Sequence, residues 1–107
     1  MNTIVLDDIF DSSISFFTGN FDGNNSPIKF IDSSSSCGLS FNFDSYASNT
    51  DDINFFTATN TPITSITPDI DGYDTAIRKI TLMPKGVFNT NAGVPPNCSF
   101  SYKVRIT

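Results

Sequence analysis

The chain has 107 residues, of which 11 are Asp and 6 are Lys or Arg, so its net charge is −5. This length suits one domain with one core, and we expect a single domain over residues 1–107. There are 11 Phe, 12 Ile and 12 Thr but no Glu, Gln, His or Trp, a composition that favours strands and excludes a helical bundle. The acidic balance predicts no nucleic-acid partner, and the absence of His removes catalytic triads and most zinc sites.

Eight short apolar or alternating runs, separated by turn residues, predict β-strands. They are Thr3–Ile9, Ser13–Phe17, Ile28–Asp32, Cys37–Asp44, Ile53–Thr59, Ile63–Thr67, Ala76–Met83 and Cys98–Ile106. The sixth run lies between two prolines and is expected at a sheet edge. The last run alternates most regularly, and its predicted inward face is Cys98, Phe100, Tyr102, Val104 and Ile106. We therefore predict an all-β, two-sheet sandwich of about eight short antiparallel strands, with jelly-roll or Greek-key topology.

The two cysteines, Cys37 and Cys98, share the parity of the apolar residues that follow them, so both side chains are expected in the core. The sequence favours two buried free thiols, because free Cys packs as a small hydrophobe. A disulfide between them within the core is the alternative.

Two loops combine acids, amides and glycine in the manner of calcium-binding loops, Asp69–Asp74 and Asn20–Gly23. With Gly72 at the sixth position of an EF-hand loop, the twelfth position holds Arg78 instead of Glu, and the other loop ends similarly on Lys29. Asp and Asn beside Gly are also ordinary turn residues, so plain turns are favoured over a structural calcium ion. We expect no metal and no cofactor.

Adjacent carboxylates occur at Asp7 with Asp8 and at Asp51 with Asp52. Neighbouring residues of a strand point to opposite faces, so neither pair is expected to share one catalytic site. The serines have no His to activate them, and neither cysteine has a local base. We expect no catalytic residues and no enzyme activity.

The aromatic pairs Phe16–Phe17 and Phe55–Phe56 place one ring on each face of their strands. The inward rings are expected in the core, and the number of Phe residues favours outward rings that form an apolar partner surface. A sugar-binding platform of Tyr46, Tyr73 and the polar loops is the alternative, although Trp, the usual residue of such platforms, is absent.

Charge is divided unevenly along the chain. All 11 Asp lie within residues 1–74, where Lys29 is the single cation. Residues 75–107 hold no acid and five cations, Arg78, Lys79, Lys85, Lys103 and Arg105. One interpretation is that folding interleaves the two parts, and the other is a surface with acidic and basic regions suited to head-to-tail association.

The first residues, Met1–Asp8, lack the basic and apolar regions of a secretory signal, and no apolar run is long enough to span a bilayer. We therefore expect a protein that is made in the cytoplasm and either stays there or leaves inside an assembly.

The final third consists of a strand, Pro84-Lys85-Gly86, a loop and a basic last strand, in the segments Ala76–Phe88 and Ser99–Ile106. This arrangement resembles small single jelly-roll capsid proteins of tailless icosahedral bacteriophages, of the penton or minor capsid type. The resemblance covers about 30 residues, and the rest of it is architectural. Because fold alone does not imply function, the resemblance is an analogy.

The resemblance implies a structural virion protein, assembled in the host cytoplasm, that contacts a major capsid protein. A penton would place five copies around a vertex, the acidic side of one subunit against the basic last strand of the next. The residues expected in this charged contact are Lys79, Lys103 and Arg105. The alternative is a carbohydrate-binding or adhesin module of a secreted bacterial protein, which a disulfide between Cys37 and Cys98 would favour.

Overall fold

The computed structural model describes residues 4–32, 37–47, 52–86 and 97–106. These residues form ten short strands and no helix, and therefore no helix long and apolar enough to cross a membrane. The strands are β1 (Leu6–Ile9), β2 (Ile14–Phe17), β3 (Lys29–Asp32), β4 (Leu39–Ser40), β5 (Ile53–Phe56), β6 (Tyr73–Asp74), β7 (Lys79–Leu82), β8 (Lys85–Gly86), β9 (Cys98–Ser101) and β10 (Val104–Ile106). The all-β class predicted from composition is confirmed.

All strand pairs are antiparallel, as predicted, and they form four small sheets. Sheet I has the order β1-β7-β5 and sheet II the order β10-β2-β6, while β3 pairs with β9 and β4 with β8. In sheet I, Leu6 lies opposite Leu82, and in sheet II, Val104 lies opposite Phe16. Strands β1 and β10 are thus edge strands whose partners are distant in sequence.

The core lies between sheets I and II. Alternation along β5 and β7 buries Ile53, Phe55, Ile80 and Leu82, since every second side chain of a strand points to the same face. Phe16 of sheet II is fully buried, and its ring lies 5.7 Å from the ring of Phe55 in an edge-to-face arrangement. These contacts between the two sheets agree with the predicted sandwich, although other strands belong to the two smaller sheets.

The predicted strand Cys37–Asp44 is shorter than its alternation indicates, because only Leu39–Ser40 pairs with another strand. Beyond it, the backbone N–H of Asn42 donates to the Asp52 carboxylate at 2.8 Å, and the carbonyl of Asn42 accepts the N–H of Asp52. The buried Asp52 carboxylate therefore accepts the N–H that a neighbouring strand would otherwise bind. Phe41 and Phe43 still pack against the core.

The predicted edge strand Ile63–Thr67 is wrong. The structure has a single bridge here, between Phe56 and Pro62, and one hydrogen bond from the N–H of Ile63 to the carbonyl of Phe55 at 2.8 Å. Proline has no N–H to donate, so the ladder cannot continue through this position.

The predicted strand Cys98–Ile106 is divided into β9, which pairs with β3, and β10, which pairs with β2. The prediction that Val104 and Ile106 face inward is correct for their direction, because they share a face with Phe16 and Ile14. It is wrong for burial, since the two side chains are 37% and 79% exposed. Their strand lies at the sheet edge, where no described residue covers them.

The two cysteines form a disulfide between Cys37 and Cys98, with their Cα atoms 6.2 Å apart, so the favoured interpretation of free thiols is wrong. The alternation of apolar residues predicted that both cysteine side chains point inward, but it did not show that the two sulfur atoms lie close together. The pairing of β3 with β9 sets Asp32 opposite Cys98, and the Asp32 carboxylate accepts the Cys37 N–H at 3.1 Å. The acid thus lies beside both sulfur atoms, but these are bonded to each other and not available as metal ligands.

Candidate interaction surface

The exposed apolar side chains concentrate on two of the edge strands, β1 and β10. Seven large hydrophobic residues are exposed in the described part of the chain, and five of them lie on or beside β1 and β10. They are Val5 (60% exposed), Leu6 (46%), Ile9 (76%), Val104 (37%) and Ile106 (79%). Three of them lie within the five consecutive positions 5–9, and adjacent exposed apolar side chains mark contact surfaces more often than scattered single residues do.

A cleft of about 490 Å³ opens beside β1. Its wall is mainly apolar, with Asp7 and Asp8 as its charged groups. The apolar part of the wall is formed by Ile4, Leu6, Leu39, Leu82, Phe100 and Tyr102. The cleft is continuous with the exposed edge of β1, because Leu6 belongs to both.

Two of the three predicted contact residues, Lys103 and Arg105, lie together on the outer face of sheet II. The Lys103 ammonium lies 4.8 Å from the ring centre of Phe17, and the Arg105 guanidinium lies 4.4 Å from that of Tyr73. Cations over aromatic faces in this range are attracted to the ring electrons. The outer face is therefore a layer of aromatic rings covered by positive charge.

The ring of Phe17 lies against two glycines. A Cβ atom on Gly19 would be 2.5 Å from the ring, and one on Gly72 would be 3.0 Å from it. Gly72 also has φ +90°, which side-chain-bearing residues rarely adopt. The Phe17 ring therefore occupies space that a side chain at either glycine would need.

Arg105 is also bound to the acidic part of the chain. Its guanidinium forms an ion pair with Asp69 and lies 3.6 Å from a carboxylate oxygen of Asp71. The hydrogen bond from Arg105, together with the backbone N–H of Tyr73, lowers the pKa of Asp69 below its usual value. Folding therefore interleaves acidic and basic parts at this point, as one of the two interpretations of the charge distribution predicted.

The third predicted residue, Lys79, lies on β7 of sheet I, apart from the other two in the sheet order. Its ammonium lies 4.6 Å from the ring centre of Phe56. Within the described ranges, neither Lys79 nor Lys103 forms an ion pair. These two lysines therefore carry charge that no described carboxylate neutralises.

The inward rings, Phe16 and Phe55, are buried as predicted, and the outward rings, Phe17 and Phe56, are half-buried beneath the two lysines. No Phe belongs to the exposed hydrophobic residues of the described chain, so the apolar surface is aliphatic instead. The sequence analysis missed this surface on β1. The sequence feature that could have indicated it is a first strand with apolar residues on both faces and two adjacent acids.

The acid-rich loops use their side chains as turn acceptors. One carboxylate oxygen of Asp69 accepts the N–H groups of Asp71 and Tyr73, each at 3.0 Å. The buried carboxylate of Asp74 accepts the N–H groups of Thr67 and Ala76, each at 2.8 Å. These contacts correspond to the plain-turn interpretation.

The loop Asn20–Gly23 is built in the same way. The side-chain oxygen of Asn20 accepts the N–H groups of Gly23 and Asn25, each at 2.9 Å. Asp22 accepts the N–H groups of Asn24 and Ser26 at 2.6 and 3.0 Å. The polar atoms of this loop also fix its own backbone.

The paired carboxylates are separated as expected where they are described. Asp7 lies opposite Thr81 and accepts its hydroxyl at 2.7 Å, whereas Asp8 points to the other face, opposite Ile80. Asp51 lies outside the described residues. Asp52 is buried and forms an ion pair with Lys85.

The two tyrosines of the proposed sugar platform do not form one exposed surface. Tyr46 packs with its ring centre 4.9 Å from that of Phe55 and donates its hydroxyl to the carbonyl of Thr18 at 2.8 Å. Burial, with a smaller effect of the Asp74 charge, raises the pKa of Tyr46. Tyr73 lies beneath Arg105.

No known protein family matches the chain, and no curated protein or solved structure is significantly similar to it.

Proposed function

We propose that the chain is a structural virion protein, a capsid vertex (penton) or minor capsid subunit that acts by self-association and by contact with a major capsid protein. The observation that carries this proposal is the concentration of exposed aliphatic side chains on the edge strands β1 and β10. Such edges favour association with further strands, because their N–H and C=O groups are unpaired.

Charge supports the same function. Lys103, which forms no ion pair within the described residues, lies beside β10, and Asp7 and Asp8 lie on β1, so the charges of the two edges that lack an ion pair have opposite sign. Opposite charges on separate surfaces of one subunit favour head-to-tail contacts, which close into rings when the rotation permits. The final third resembles phage jelly-roll capsid proteins in its architecture, and this resemblance is the reason for placing the assembly in a virion. For a penton, the expected assembly is a pentameric ring.

Solution mass tests this proposal directly. Native mass spectrometry and light scattering, at low and at moderate salt, are expected to find a ring-sized oligomer, a pentamer for a penton, that loosens as salt screens the charges. Electron microscopy should show closed rings. A monomer at both salt concentrations contradicts self-association.

The predicted basic contact has its own variant. Replacing Lys103 and Arg105 together by Ser should weaken assembly at low salt, because one edge loses its positive charge. The control is Lys29→Ser, an exposed lysine on β3 that forms no ion pair within the described residues. Thermal unfolding of the double variant measures the stability lost with the Arg105–Asp69 ion pair, which Lys29→Ser retains. Unchanged assembly in the double variant contradicts the basic contact.

One observation favours the second function, a carbohydrate-binding or adhesin module of a secreted bacterial protein. The disulfide between Cys37 and Cys98 is typical of oxidising compartments outside the cytoplasm. A glycan array probed with the oxidised protein tests this function, and reproducible binding that loop substitutions abolish would support it. Absence of binding together with ring formation leaves the capsid proposal.

A further inference from the structure

Strands β1 and β10 each have one edge that pairs with no described strand. β1 ends sheet I and β10 ends sheet II. The β1 edge is apolar at Val5, Leu6 and Ile9, and the β10 edge is apolar at Val104 and Ile106. An exposed strand edge with apolar side chains is suited to pair with a strand of another chain.

The charges on these edges decide which pairs can form. Two copies of β1 would bring Asp7 and Asp8 against the same acids, and two copies of β10 would bring together two Lys103 residues, which have no carboxylate partner within the described chain. Like charges directly opposite each other destabilise a strand pair, whereas opposite charges stabilise it. The combination of β1 with β10 is the favourable one.

One antiparallel register sets Leu6 opposite an apolar side chain on the core side and Asp7 opposite a cation on the outer side. Leu6 and Val104 each point to the core side of their sheets, because they lie opposite the buried Leu82 and Phe16. When Leu6 of one copy lies opposite Val104 of another, the period of two also sets Ile4 opposite Ile106. The same register sets Asp7 opposite Lys103 on the outer face, and this lysine forms no ion pair within its own described chain.

The cleft beside β1 receives the incoming side chains in this arrangement. It is about 490 Å³ and is lined by Ile4, Leu6 and Phe100, among other residues. Val104 and Ile106 from a second copy of β10 are aliphatic and therefore suit this mainly apolar wall. Their burial would remove apolar surface from water on both copies.

We propose that copies of this chain associate head to tail by β-strand addition, with β10 of one copy pairing antiparallel to β1 of the next. This inference rests on the self-association in the proposed function and adds the two surfaces, their register and the contact between Asp7 and Lys103. The interface is heterologous, so it produces closed rings or open filaments according to the angle between copies.

Charge reversal tests the pairing. Asp7→Lys and Lys103→Asp, each alone, place like charges in every interface and should weaken self-association about tenfold, measured as the association constant by light scattering. The double variant Asp7→Lys/Lys103→Asp restores opposite charges and should recover the wild-type association constant. Lys29→Asp makes the same change of charge on β3, which is not one of the two pairing strands, and should have little effect.

The double variant also separates association from folding. Asp7→Lys removes the hydrogen bond from Thr81, and Lys103→Asp removes the cation over Phe17, so each single variant loses some stability. The double variant retains both losses, and recovered association in it therefore reports the interface. Thermal unfolding of all variants provides the comparison.

Each outcome is decisive. Closed rings that persist in both single variants overturn strand addition while leaving the vertex function in place. Filaments that dissolve in the single variants and reform in the double variant support strand addition but contradict a capsid vertex. Single variants that weaken without recovery in the double variant overturn the proposed register, and a wild-type monomer at every concentration overturns the inference.

Discussion

The disulfide provides the strongest stability prediction for this protein. Cys37 and Cys98 are 61 positions apart in sequence. A cross-link of that span restricts the unfolded chain, and the loop-entropy relation gives a stabilisation of about 4 kcal/mol at 25 °C. Domains of this size are commonly stable by only about 5–15 kcal/mol, so reduction should remove a large part of the free energy of unfolding.

Urea unfolding followed by circular dichroism, with and without reductant, measures this difference. With a urea dependence of about 2 kcal/mol per molar, the midpoint should fall by roughly 2 M on reduction. The double variant Cys37→Ala/Cys98→Ala should unfold near the reduced protein. Equal midpoints in the two conditions, or two free thiols counted in denatured, unreduced protein, would refute the reasoning.

Three further predictions concern stability. Asp74→Ala leaves two backbone N–H groups without their buried acceptor and should lower the free energy of unfolding by about 2–4 kcal/mol in urea titrations. Gly72→Ala should cost about 1–2 kcal/mol, because its φ is positive and the new Cβ meets the ring of Phe17, whereas Gly23→Ala has open space and should show the backbone cost alone. Arg105 lowers the pKa of Asp69, so this carboxylate stabilises the fold above its unfolded pKa of 3.8 and loses that contribution as the pH falls through the lower folded value. The difference in melting temperature between wild type and Asp69→Asn should therefore shrink in acid, and a constant difference contradicts this explanation.

The sequence predicted the fold class and most strand positions because strand-favouring residues and period-two alternation are local properties. Phe16 and Phe55 are buried as their alternation indicated. The same rule overestimated burial at Ile106, because alternation gives the direction of a side chain and not what covers it. Whether a strand is central or at an edge depends on pairing between distant segments.

The candidate interaction surface was only partly predictable for the same reason. The three basic residues were recognisable from the charge distribution, but the structure shows that Arg105 already has an acidic partner and that the ammonium groups of Lys79 and Lys103 lie over aromatic rings. The disulfide depended on the pairing of β3 with β9, which side-chain parity does not reveal. Long-range pairing was therefore the missing information in each case.

The pairing of early strands with late ones has a consequence for how the chain folds during its synthesis. Among the described strands, β1 pairs with β7 alone, and β2 pairs with β6 and β10. A ribosome must therefore make residues up to at least 73–82 before either early strand has any partner, and such non-local pairing is slow. During that interval Leu6 has no strand partner on the nascent chain, and we expect the charges of Asp7 and Asp8 beside it to oppose premature aggregation of this segment.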